Sequence, residues 1–169
     1  MNKEKILSKC KEFLFEKGFE DMDIRSLTKH CGVSIGTFYN IFKSKENLFC
    51  EIFLSDWKET LNKIESLLQN KNLEEKIMIT LKYLRDFTNR YKTSFKTIIE
   101  AFIIKGKRPI DIFDRSNLID FIKRNFDIKD DYLIDLFINL TFFHLRKNED
   151  DEKFVQIVKT LLKEDIWKR

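Results

Sequence analysis

Residues 23–48 read DIRSLTKHCGVSIGTFYNIFKSKENL. Asp23 stands where a helix N-cap is expected, and Ile24, Leu27 and Cys31 then recur at helical spacing until Gly32 stops the run. Ser34 is placed to cap a second, very short helix reaching about Tyr39 or Ile41, with Phe38 and Phe42 as its inward anchors. Cys31-Gly32-Val33-Ser34 joins the two: Gly32 supplies backbone freedom for a sharp turn, and Val33 an apolar plug. Two short helices across such a turn predict a helix-turn-helix, whose second helix enters the DNA major groove. That helix must be slim at its exposed tip. Ile35, Gly36 and Thr37 meet the need, because Gly36 lets the backbone approach a duplex closely.

The charge pattern agrees locally. The whole chain carries a formal net charge of only +4, so any nucleic-acid surface must be confined to one region. From Ile24 to Lys45 there are Arg25, Lys29, Lys43 and Lys45 and no acidic residue, whereas Glu20, Asp21, Asp23 and Glu46 lie just outside. These charges alone describe a solvated basic face. Together with the turn they place hydrogen-bond donors (Thr37, Tyr39, Lys43 and Lys45) around the second helix, where phosphates on either side of a groove would lie.

Outward from this segment the chain reads as helix after helix. Ile6, Leu7, Cys10, Phe13 and Leu14 predict a helix over residues 3–17, ended by Gly18. Ser44 is placed to cap a long helix with the stripe Leu48, Phe49, Ile52, Phe53, Trp57, Leu61, Ile64 and Leu68. Further helices are predicted over 73–90 (Ile77, Leu81, Leu84, Phe87 inward) and 93–105 (Phe95, Ile98, Ile99, Phe102 inward, Gly106 as the stop). Three more are expected from near Pro109 to Asn125, from Asp130 to Arg146 and from Asp150 to Trp167. One Pro and four Gly in 169 residues argue against sandwiches and barrels, and an apolar fraction of 43%, with seventeen Phe, can fill a bulky core. The expected fold is all-α: an N-terminal three-helix DNA-binding domain over residues 1–46, followed by a helical regulatory and dimerisation domain over 47–169.

The motif G-V-S-I-G-T-F-Y-N-I-F-K-S-K-E-N-L resembles the signature of TetR-family regulators, A-G-V-S-x-G-T-(L/F)-Y-x-(Y/H)-F-x-x-K-(E/D)-x-L. It is carried by Gly32, Val33, Ser34, Gly36, Thr37, Phe38, Tyr39, Phe42, Lys45, Glu46 and Leu48. Gly18-Phe19 and Asp23-Ile24-Arg25-Ser26-Leu27 match the family's upstream pattern, so the resemblance covers about residues 5–55. It implies a transcriptional regulator, a repressor that responds to a ligand and binds a palindromic double-stranded operator as a homodimer. By the same resemblance Thr37 and Tyr39 fall on phosphate-contacting positions, and Lys45 makes a phosphate contact at a helix N-terminus. Arg25 reads a base, Ile35 and Gly36 face base edges, and Ser34 and Lys43 complete the DNA-binding set. Three residues depart from the pattern. Asp23 replaces a phosphate-contacting Thr, Thr28 a small Ala, and Ile41 a Tyr or His that meets the backbone. Ile35 cannot hydrogen-bond a base, which shifts readout toward Arg25, methyl contacts and DNA shape.

For the remaining helices the resemblance implies a four-helix dimer interface made by the last two and a ligand site among helices four to eight. The run Leu133 to Leu145 is apolar nearly all round, which requires cover on several sides. A symmetry mate or the subunit's own core would each supply it. A small apolar or aromatic effector would be walled by Trp57, Tyr83, Phe87, Phe95, Phe102 and Phe113, each of which also suits an ordinary core.

Other classes find less support. His30 and His144 have no partner at metal-ligand spacing, and no phosphate loop, nucleophile elbow or paired carboxylate is present, so neither enzyme activity nor a metal or other cofactor is expected. His30 is expected at the surface and His144 in the core or an interface. Cys10, Cys31 and Cys50 are read as buried free thiols in a reducing compartment. The charged N-terminus and the lack of any apolar run of ~18–20 residues predict a cytoplasmic protein without a membrane association. The alternative reading is a helical small-molecule or lipid-binding protein without DNA-binding activity.

Overall fold

A computed structural model describes residues 2–20, 22–106, 113, 115–147 and 149–162. Among these the chain forms α-helices joined by short turns, with no strand. In order they are α1 (Lys3–Lys17), α2 (Ile24–Cys31), α3 (Ile35–Phe42), α4 (Lys45–Leu67), α5 (Leu73–Tyr91), α6 (Phe95–Ile104), α7 (Arg115–Phe126), α8 (Asp131–Lys147) and α9 (Asp151–Leu161). The expected helix starts near Pro109 and ends near Trp167 lie outside the described residues.

The chain divides into two compact units. The first comprises residues 1–58 and 90–114. Its core follows from apolar periodicity: Ile6, Cys10 and Leu14 of α1, Leu27 and Cys31 of α2, Phe38 and Phe42 of α3, and Leu48, Phe49, Ile52 and Phe53 of α4 are all buried. Phe19, Phe49, Phe53 and Tyr91 add edge-to-face and tilted ring contacts at centroid separations of 4.9–6.0 Å. A buried carboxylate, Asp56, receives Lys11 from α1 at 2.7 Å and Arg90 from the end of α5 at 3.0 Å. Charge deep in a core is tolerated only with such partners. Cys10 and Cys31 face each other across α1 and α2 with their sulfurs 3.1 Å apart, and burial pushes the Cys10 thiol far above its ordinary range. Cys50 is buried as well.

The second unit comprises residues 59–89 and 115–169. Leu61, Ile64, Ile77, Leu81, Leu84 and Phe87 are buried there, as are Phe121, Ile122, Ile134, Phe137, Phe154 and Val158. Asp151, at the start of α9, takes a bidentate Arg85 (2.9 and 2.6 Å) and His144 Nε2 (2.6 Å), while the His144 ring stacks on Phe154. This network joins α5, α8 and α9. His144 is thus a core residue, and His30 is exposed against Phe13.

The whole predicted stripe of α4 is buried, including Leu68 one residue past the helix. The helix α3 runs to Phe42, one residue beyond the expected end near Ile41. One expectation needs correction. Phe95, expected inward, is 37% exposed. It opens α6, so no preceding turn covers it, although its ring still stacks on Phe113.

Candidate nucleic-acid interface

The helix-turn-helix is fixed by local chemistry before any long-range contact. Asp23 caps α2: its carboxylate accepts from the backbone N–H of Arg25 (3.2 Å) and Ser26 (2.9 Å) and from the Ser26 hydroxyl (2.7 Å). The Ser26 bonds lead in holding that carboxyl below the usual carboxylate range. The other end of α2 closes at Gly32, whose φ of +70° is left-handed. The Gly32 N–H donates to Lys29 O, and the Val33 N–H donates to Thr28 O at 3.0 Å. A side chain at Gly32 would strain this closure.

The Ser34 hydroxyl caps α3, accepting from the Thr37 N–H at 3.0 Å, and lies 2.9 Å from the Thr37 hydroxyl. Two O–H groups share one mutual bond, so one proton of the pair is left to donate outward. Phe38 and Phe42 are fully buried and pin α3 to the core. Ser44 starts α4, its Oγ accepting from the Asn47 N–H at 3.1 Å. Between them Lys43 ends α3 at φ +67°, ψ −40°, a conformation costly for a side-chain-bearing residue. The sequence carries no sign of this, since a glycine is the usual choice for such a position.

Every residue expected to meet DNA lies on the open side of this unit. Arg25, Ser34, Ile35, Gly36, Thr37, Tyr39, Lys43 and Lys45 are all exposed, with Ile35 at 42% and Tyr39 at 44%. Gly36 faces open space, for a Cβ built there meets nothing closer than Ser34 Oγ at 3.8 Å. Arg25, Lys29, Lys43 and Lys45 form no ion pair with any described residue. Lys3 and Lys11 of α1, by contrast, are held by Glu51 and Asp56. Lys45 opens α4, where the first-turn N–H groups and the helix dipole favour an anion. Of the residues departing from the family pattern, Ile41 is half-buried and Thr28 is buried with its hydroxyl donating to Arg25 O. Neither faces outward. Asn40, which the sequence reading passed over, is exposed on α3.

The aromatic residues expected to wall a ligand site separate into two groups. Trp57, Phe95, Phe102 and Phe113 belong to the first unit, with Phe113 5.1 Å from Trp57 and 6.4 Å from Phe95. Phe53 joins Phe102 to Phe113 in the same cluster. Tyr83 and Phe87 belong to the second unit. Among the described residues no cluster of metal-ligating side chains occurs, and no helix is long and apolar enough to cross a membrane.

A capped helix, a left-handed glycine turn and a second, outward-facing helix, beside cations in no ion pair with a described residue, define a helix-turn-helix of the DNA-binding class. Residues 6–52 match the family of bacterial regulatory proteins described as the tetR family. Over 57 residues the chain is 37% identical to the HTH-type transcriptional regulator UidR of Escherichia coli strain K12, an alignment spanning 34% of this chain and 29% of that relative. The fold resembles that of a candidate transcriptional regulator from Rhodococcus sp. RHA1 (TM-score 0.69, 14% identity, 96% of this chain and 95% of that one). It also resembles the transcriptional regulator FadR of Bacillus subtilis in complex with stearoyl-CoA (TM-score 0.52, 15% identity, 96% of each chain). Residues 6–52 thus resemble the DNA-binding module of the tetR family, and the matched stretch spans under a third of the length of the curated relative.

Proposed function

We propose that this protein is a sequence-specific DNA-binding transcriptional regulator, a ligand-responsive repressor that acts as a homodimer on a palindromic operator. The observation that carries the reading is the exposed set from Arg25 to Lys45, whose cations form no ion pair with any described residue. Residues 1–46 supply DNA binding, and residues 47–169 supply dimerisation and ligand response. Thr37, Tyr39, Lys43 and Lys45 position the protein on phosphates, while Arg25, Ile35 and Gly36 meet base edges. The test is retardation of a duplex from the region upstream of the protein's own gene, against scrambled DNA of equal length. Equal binding to both would contradict sequence-specific recognition.

Dimerisation is assigned to α8 and α9. Leu133, Leu136, Phe137, Val158, Leu161 and Leu162 line a shallow, open apolar groove between them. Beside it Tyr132 is 71% exposed, Phe143 47% and Ile157 44%. Tyr132, Leu136 and Phe143 fall on one side of α8 by helical spacing, so a second copy would bury a continuous strip. Two-fold pairing would set the recognition helices on half-sites about 34 Å apart, or a small multiple of that. Sedimentation at micromolar concentration is expected to show a dimer, and a monomer would refute this assignment.

The effector reading rests on the Trp57, Phe102 and Phe113 cluster, and the related fold of FadR accommodates stearoyl-CoA. A small apolar or aromatic ligand bound there would weaken DNA binding by favouring a different arrangement of recognition helices. DNA affinity unmoved across a broad panel of acyl and aromatic compounds would rule it out.

A further inference from the structure

We infer that Asn40 is a specificity-determining residue that reads an adenine in each operator half-site. The inference rests on the DNA-binding reading above and adds to it the base that the centre of the recognition helix selects. At about 100° per residue, Asn40 lies about 180° from the midpoint of Phe38 and Phe42, the anchors that bury α3. It is therefore the side chain of α3 aimed most directly away from the core, and it is exposed. A helix seated in the major groove presents this line to the base edges.

The neighbours leave that position to Asn40. Gly36, one turn earlier on the same line, has no side chain and open space before it. The Thr37 hydroxyl is bonded to Ser34. Ile35 is apolar, and Tyr39 and Lys43 flank the line, where phosphates are in reach. The Asn40 carboxamide makes no hydrogen bond to another described residue. It carries a donor and an acceptor in one plane. Adenine offers the complementary pair in the major groove: its N6 amino group donates to Asn40 Oδ1, and its N7 accepts from Asn40 Nδ2. Guanine sets O6 where N6 would be, so Oδ1 would face a second acceptor. Pyrimidines offer no such adjacent pair.

The experiment is in vitro selection from a random duplex library with the full chain and with Asn40→Ala. Equilibrium binding to the selected duplex follows, and then to the same duplex carrying 7-deaza-adenine, which lacks N7, at the selected adenine. The native chain is expected to prefer adenine at one position per half-site by roughly five- to 150-fold. Asn40→Ala should lose that preference at that position alone and keep the rest of the selected palindrome. The 7-deaza substitution should weaken the native chain and leave Asn40→Ala unaffected, an arm that needs no comparison of folds. Unchanged preference at every position in Asn40→Ala, or equal 7-deaza sensitivity in both proteins, would overturn the inference and leave the DNA-binding reading intact. A native chain that selects no sequence would overturn that reading, and this inference with it.

Discussion

At the scale of single residues, Lys43 has two separable roles. Its side chain is proposed to meet a phosphate, and its backbone holds a left-handed angle at the end of α3. Lys43→Ala and Lys43→Gly remove the same charge, but only glycine relieves the backbone. The glycine variant should be more stable than the alanine variant by about 1 kcal/mol in denaturant melts. Both should lose similar affinity for DNA. Equal stability would mean that the turn is not strained. Arg25 and Tyr39 should part company in a different way. Tyr39→Phe removes the proposed neutral phosphate donor and should lower affinity for all sequences with little change in salt dependence. Arg25→Ala should relax the preference at one base pair per half-site, since a bidentate Arg–guanine pair discriminates by ~1–3 kcal/mol. Binding to operator and scrambled duplexes distinguishes these outcomes. A uniform loss for Arg25→Ala would return that residue to the phosphate backbone.

At the scale of elements, α2 depends on Asp23 at its start. The carboxylate caps the helix, and it stands where a DNA phosphate would meet a negative charge. Asp23→Ser keeps a capping oxygen and removes that charge, so it should bind DNA more tightly with little loss of stability. Asp23→Ala should lower the melting temperature. Because the folded-state carboxyl is held low, its contribution is present above its unfolded value and lost as pH falls through the folded one. The gap in melting temperature between the native chain and Asp23→Ala should therefore close in acid. Anion-binding assays at neutral pH that show no gain for Asp23→Ser would remove the repulsion argument.

The same elements show what a sequence can disclose. Caps, glycine stops and long apolar stripes are local, so Asp23, Gly32, Ser34, Ser44 and the stripe from Leu48 to Leu68 were readable directly. Phe95 was not, because periodicity reports the face of a helix and says little about the rim where a helix begins. The non-glycine left-handed turn at Lys43 left no trace in residue type. Asn40 was legible in part, since Phe38 and Phe42 as inward anchors already set it on the outer face of α3; its exposure comes from the structure. The Asp151–Arg85–His144 network joins residues up to 66 positions apart, and no spacing rule connects them.

At the scale of the whole molecule, this network helps tie α9 to α5 and α8 inside the second unit. The bidentate Arg85 guanidinium, and then His144, hold the Asp151 carboxyl below the usual carboxylate range. The stabilisation is present above the unfolded value near 3.9 and is lost as pH falls through the lower folded value. Asp151→Asn should cost about 1–3 kcal/mol at neutral pH and flatten the acid limb of the stability curve. If α8 and α9 form the dimer interface, the same variant should weaken dimerisation, which sedimentation at graded concentrations would detect.

The central claim, that the basic surface of α2, α3 and the start of α4 is docked on a DNA backbone, is tested most directly by a salt series. Equilibrium binding of the native chain and of Lys45→Ala to the upstream duplex and to scrambled DNA gives the slope of log affinity against log salt. The native chain should bind the upstream duplex more tightly and weaken steeply as salt rises. Lys45→Ala should lose affinity for both duplexes, and its slope should fall by about one unit. Unchanged affinity and slope in a folded Lys45→Ala protein would contradict the claim, because the best-placed cation of the surface would then not be touching phosphate.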